Sequence, residues 1–350
     1  MTMPRARACW IATRVALALI AALIVAPISA ALTPAQLGVV INSVDPLSAA
    51  VGRYYVQQRH IPQQNVARIA FDFHRTTLPA AEFRALKAQV DAQLPASVQA
   101  YALTWTQPYR VDCMSITAAF ALGFDRASCA AGCVPTRTSA YYDSRSGAPF
   151  SDLQLRPAMS VAALTLEQAR QLIDRGVRSD GTAPAGTAYL VSSGDADRDV
   201  RREGYPHAAM VAAGRVRTQI VNAPALRERS DVMFYFIGAA RVQDLDTNHF
   251  LPGAVADHLT STGGKLTDSE QMSSLRWLEA GATGSYGTVV EPCNFTAKFP
   301  NPALLILHYL AGETLIEAYW KSVAMPGQGI FVGEPLAAPY RRAPRVATGS

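Results

Sequence analysis

Short apolar runs and segments of helical spacing take turns along this chain. L-G-V-V-I-N-S at 37–43 reads as a buried strand, and the spacing over 46–59 predicts a helix. V-A-R-I-A-F-D (66–72) predicts a second strand, 80–94 a helix, and S-V-Q-A-Y-A-L-T-W (97–105) a third strand. A short helix at 115–122 precedes a Gly-, Ser- and Cys-rich excursion from about 123 to 160. Beyond it the pattern predicts a helix at 165–176, a strand at 187–193 and a loop at 194–205. D-V-M-F-Y-F-I-G (231–238) is the plainest core strand; helices at 253–260 and 272–280, a strand at 284–290, helices at 302–310 and 314–323 and a strand at 329–333 complete the series. Alternation of this kind implies an α/β three-layer sandwich, a mostly parallel sheet with helices on both faces. The body, 31–340, leaves room for two halves meeting near residue 180.

The amino-terminal thirty residues change the setting. Arg5, Arg7 and Arg14 precede or flank an apolar run at 15–26, no acid is present, and I-S-A (28–30) follows Pro27. This predicts a signal peptide, 1–30, removed on export to the periplasm or the exterior, with an uncleaved anchor as the rival. No later segment approaches the ~20 apolar residues of a membrane span. The net charge of +5 owes three units to that segment, and Arg341, Arg342 and Arg345 add three more in a basic tail, 341–350, read as disordered. The body between is close to neutral, which gives no electrostatic basis for nucleic-acid binding. Cys113, Cys129, Cys133 and Cys293 remain after cleavage. In an exported chain an even count suggests two disulfides, in any of three pairings, over a zinc site without a neighbouring histidine.

Ligands of parallel sheets sit at strand carboxyl ends. After 187–193 come Asp195, Asp197 and Asp199 at alternate positions, and after 231–238 come Asp244, Asp246 and Asn248 at the same spacing. Alternate oxygen ligands suit a hard divalent cation such as calcium, although both loops lack the glycine and twelfth-position glutamate of a complete calcium loop. Asp-rich turns and helix caps use the same residues. The stretch G-A-T-G-S-Y-G-T-V-V-E-P-C-N-F (281–295) places Glu291 after a further strand, where it joins the two acidic loops as an expected site residue. Ser285 there misses the first glycine of a nucleophile elbow, and Cys293 is expected in a disulfide. Among the histidines, His258 in D-H-L-T is placed on a helix, at its surface or in helix packing, and His249 is kept as an acid or base.

V-I-N-S-V-D-P-L-S with Y-Y-V-Q-Q-R-H-I-P (40–62), L-P-G-A-V-A-D-H-L-T-S-T-G-G (251–264), R-W-L-E-A-G-A-T-G-S-Y-G-T-V-V-E-P (276–292) and F-V-G-E-P-L-A-A-P-Y (331–340) resemble an uncharacterised family of exported bacterial proteins found in genomes that use the PEP-CTERM sorting system. Where its members carry Gly-Asp-Pro near the end, this chain has Gly333-Glu334-Pro335, and the resemblance brings no site residues. More loosely the chain resembles gingipain and caspase-like peptidases, whose catalytic His-Gly and Cys follow successive core strands. The matching ends would be Ile237-Gly238 and Gly284-Ser285, which hold neither residue. A thiolate mechanism needs both nucleophile and base, so the resemblance implies a degenerate relative. Two functions follow: an exported binding or assembly protein for an extracytoplasmic ligand, peptide or cell-envelope polymer, or a hydrolase, metal-assisted or not, using Glu291 or Asp246 with His249.

Overall fold

The computed structural model describes residues 31–129 and 133–342; the expected signal segment and residues 343–350 of the tail lie outside them. The first half of the main sheet comprises β1 (Leu37–Asn42), β2 (Val66–Ile69), β4 (Ala100–Leu103) and β7 (Ala158–Ser160). Between these strands run α1 (Pro46–Gln58), α2 (Ala80–Gln93), α3 (Ile116–Leu122) and α4 (Pro149–Leu153), and a small sheet of β3 (Thr77–Leu78), β5 (Arg110–Val111) and β6 (Met114–Ser115). Helix α5 (Leu166–Ser179) leads to the second half: β8 (Thr187–Ser192), α6 (Tyr205–Ala212), β9 (Arg217–Asn222), β10 (Val232–Gly238) and β11 (Phe250–Leu259). Then come α7 (Leu275–Glu279), β12 (Gly284–Thr288), α8 (Pro302–Leu310), α9 (Leu315–Ser322) and β13 (Gly329–Gly333).

Local chemistry sets these limits. Asp45 caps α1 by accepting from Leu47 N–H, with Pro46 in the first turn. Thr165 and Gln168 close a capping box on α5, and Asn301 caps α8 before Pro302. Every residue of β10 is buried, as a strand covered on both faces requires.

The main sheet has ten strands in the order β2-β1-β4-β7-β13-β12-β11-β10-β8-β9 among the described residues. The fold is thus an α/β sandwich with a mostly parallel sheet; among the described strands of the main sheet only β12 and β13 pair antiparallel. That single reversal has a large effect. β2, β1, β4, β7 and β13 run one way, and β12, β11, β10, β8 and β9 run the other. The two halves therefore present their carboxyl ends at opposite edges of the sheet. Helices α8 and α9 lie on one face of the second half, where Tyr309 meets Phe234 and Tyr319 meets Gly284. The other face carries α7 and loops: Trp277 packs edge-on against Tyr235 at 5.0 Å, and Gly287 abuts Gly263 and Gly264.

The expected helix at 253–260 is instead the longest strand, β11. Its Asp257-His258 pair, which suggested a solvent-facing helix, is buried on both faces of the sheet. His258 is therefore a core residue of a strand and not a helix-surface one. Strand β9 gives no apolar run, because R-T-Q-I-V-N lies at the sheet edge with most of its side chains exposed, and the short α6 buries only Tyr205, Ala208 and Ala212. The disulfides are Cys113–Cys129 and Cys133–Cys293. The second spans 160 residues and fastens the excursion to the segment after β12. No helix among the described residues is long and apolar enough to cross a membrane.

Candidate functional site

Strand order reverses between β8 and β10, and an open α/β sheet keeps its ligand crevice at such a switch point. Here the chain folds over the end of β10, and a cavity of about 310 Å³ remains beside it, lined by Arg201, Glu203, Thr296, Pro300 and Asn301 among others. Ser193 Oγ donates to Gly238 O, and Asp199 accepts from Ser192 Oγ at 2.6 Å and Gly194 N at 3.1 Å. Any side chain at Gly238 would run into the Arg198 carbonyl, so the turn passes directly over the end of β10. Arg201 completes the plug by donating to Ile237 O at 2.9 Å and Pro300 O at 3.2 Å.

The three groups of expected site residues do not meet. Asp195 pairs with Arg198 at 3.1 Å, Asp197 is exposed, and Asp199 is buried inside its own turn. The second acidic loop lies at the opposite edge. β10 and β11 are adjacent and parallel, so segment 239–249 must return to the amino end of β10, where His249 O accepts from Val232 N at 3.1 Å. There Asp244 pairs with Arg227 at 2.7 Å, Asp246 and His249 are exposed, and the Asn248 side chain donates to Leu226 O and accepts from Arg229 N. Glu291 shares the carboxyl edge with the first loop, but β12 and β8 are three strand spacings apart, roughly 14 Å. Its carboxylate is exposed and accepts from Cys293 N at 2.7 Å. Among the described residues no three His, Cys, Asp or Glu side chains are grouped to hold a metal ion. Ser285 is fully buried and Cys293 is disulfide-bonded. The core strand that follows β10 is β11, which ends at Leu259, and Gly284 opens β12 rather than ending a strand.

Two buried pairs escaped the sequence. Asp257 lies 2.6 Å from Arg201, both almost wholly buried, yet neither carboxylate oxygen receives a well-aligned hydrogen bond. Burial pushes the Asp257 carboxyl above its usual range, and Arg201 offsets this only in part. On the other face His258 accepts from Trp277 Nε1 at 2.9 Å and places Nε2 3.1 Å from Met272 O, which defines the neutral Nε2–H tautomer. Burial drives its pKa down to about 3. An Arg or Trp partner 56 or 19 residues away leaves no local signal.

Open space lies on the loop-covered face. A cleft of about 450 Å³ is lined by Arg241, Gln243, Gln271, Ser273 and Arg276 among others. A second, of about 360 Å³, is lined by Asp244, Asp246 and Glu279. Val242, Met272 and Arg276 border both, so the two adjoin as one trough.

No family model and no curated protein matches the chain. A solved structure described as "Structure of Protease" is similar at a TM-score of 0.41 and 11% identity, over 89% of this chain and 80% of that one. A likeness that distant carries no functional argument.

Proposed function

We propose that this is an extracytoplasmic binding protein whose trough on the loop-covered face holds an extended polar ligand, a peptide or a cell-envelope polymer bearing charges of both signs. The observation that carries this reading is the mixed charge of the trough: Arg241 lines the first cleft and Asp246 the second, while Arg276 borders both and pairs with Glu279, and Asp244 pairs with Arg227. Charges placed in this way select orientation and partner more than they add affinity. The two disulfides support an oxidising compartment. Glu291, at the far edge, would contribute to a separate contact. A hydrolytic alternative is confined to Asp246 and His249, the two exposed candidates that share an edge.

Soluble peptidoglycan fragments and a mixed-charge peptide pool are the probes. Hydrogen exchange should slow at 241–246 and 266–280 on binding, and Asp246→Lys combined with Arg276→Glu should remove that protection. Protection confined to other segments, or none with either probe, would sink the reading.

A further inference from the structure

A second cavity lies at the far end of the sheet, beside the edge strand β2. It measures about 450 Å³ and is lined by Ile41, Val56, Ile61 and Val66, with Arg53, Gln57, His60, Gln63 and Arg68 around them. The fold explains the space. Gly52 lets α1 sit tightly on Ile41, over β1, and the cavity lies between α1 residues Arg53, Val56 and Gln57 and β2 residues Val66 and Arg68. Val66 and Arg68 share that face because they pair in register with Val39 and Ile41. The left-handed backbone at His60 (φ 51°) ends α1 and turns Ile61 into the wall, with Ile61 N–H donating to Val56 O at 3.0 Å.

The charge here is one-sided. Arg53 and Arg68 are exposed, and neither forms an ion pair among the described residues. No carboxylate lines the cavity. Two full positive charges outweigh the negative end of α1, which amounts to about half a charge. An apolar floor with a few convergent polar groups, in a space of this size, is the form of a small-molecule site.

An extended peptide adding to the β2 edge is the obvious rival occupant. The chain blocks it: Arg68 N–H donates to Gln93 Oε1 at 2.8 Å, and Gln93 Nε2 donates to Arg68 O at 3.0 Å. That side chain takes the main-chain groups an added strand would need.

We propose that this cavity binds a small amphiphilic anion, an aliphatic body lying on Ile41, Val56, Ile61 and Val66 with its carboxylate or phosphate head held by Arg53 and Arg68. This site is separate from the trough and does not depend on it.

The test uses the full mature chain and dodecyl probes below their micelle concentrations, followed by calorimetry. Dodecanoate or dodecyl phosphate should bind saturably, one per chain, and the tighter of the two identifies the head group. Dodecyltrimethylammonium should not compete. Arg53→Gln with Arg68→Gln, both at exposed positions, should weaken anion binding at least about tenfold. Asp246→Lys with Arg276→Glu, in the trough, should leave it unchanged. Equal binding of the cationic amphiphile, no loss in the double arginine variant, or binding of an acidic peptide in place of the dodecyl anions would each overturn the proposal.

Discussion

Two arginine–carboxylate pairs are deeply buried among the described residues, and they are finished very differently. Glu334, at the end of β13, receives Tyr55 OH at 2.7 Å, Arg59 Nε at 2.9 Å, Leu336 N at 3.3 Å and a second Arg59 nitrogen. Arg59 also reaches Asp180, whose other oxygen accepts from Ala338 N at 2.9 Å. Every group has partners, and the network bolts the end of the first helix to the last strand. Among the described residues Asp257 has Arg201 alone as an ion-pair partner, and no well-aligned hydrogen bond to either oxygen. Buried charge is tolerable when hydrogen bonds replace the lost water and costly when they do not. The first pair is therefore a structural bolt. The second is a charge contact holding a plug over the switch-point crevice, with acceptor capacity left over.

The largest expected effect tests the bolt. Arg59→Met leaves Glu334 and Asp180 without their shared cation, and should lower stability by about 3–5 kcal/mol in urea unfolding. A loss below about 1 kcal/mol would mean that the other donors suffice and that the contrast drawn above is false.

Arg201→Met comes next, at about 3 kcal/mol at pH 7. Its cost should depend on pH in a definite sense. Burial already raises the Asp257 carboxyl, so the folded state binds this proton more readily than the unfolded state. That contribution is present at low pH and lost as pH rises through the folded pKa. Removing Arg201 enlarges it, so the variant's deficit should shrink between pH 7 and pH 5. A deficit constant over that range would show that Asp257 stays ionised without its partner.

His258, next to Asp257 but on the other face, supplies the opposite sign. Its pKa is about 3 in the fold, below the usual value for histidine near 6.5, so the unfolded chain binds the proton first. Stability should fall by about 2 kcal/mol on going from pH 7 to pH 5 through this residue alone. His258→Gln, less stable throughout, should lose that part of the slope. An unchanged slope would mean that the ring is reached by water in solution.

These same residues mark how far the sequence could be read. β10 was legible because V-M-F-Y-F-I is apolar without interruption, and α1, α5 and α8 because their caps and apolar spacing agree. β11 was not legible: Asp257 and His258 look like solvent-facing positions until Arg201 and Trp277, brought in by the fold, satisfy them. The acidic loops and Glu291 were each correctly placed after strands, yet their meeting at one centre could not be judged. That required knowing that β11 lies beside β10 and parallel to it, which sends 239–249 back across the molecule.

The smallest expected effect isolates the cost of an unfinished polar contact in the glycine-rich strand. Ser285 is fully buried in β12, opposite Val332, and its hydroxyl has no hydrogen-bond partner among the described residues. Thr288, three residues on, is as buried, but its hydroxyl lies 2.9 Å from Ser261 O and 3.1 Å from Thr260 O, tying β12 to the end of β11. Removing an unpartnered buried hydroxyl relieves a desolvation cost and leaves a void of one atom, so the two terms nearly cancel. Ser285→Ala should therefore change stability by less than about 1 kcal/mol, towards stabilisation, and leave binding of either class of probe unaffected. Thr288→Val strands two carbonyls and should cost about 1–2 kcal/mol. If the order is reversed in urea unfolding, Ser285 has a partner in solution, and the division between finished and unfinished buried polar groups must be redrawn from that strand outward.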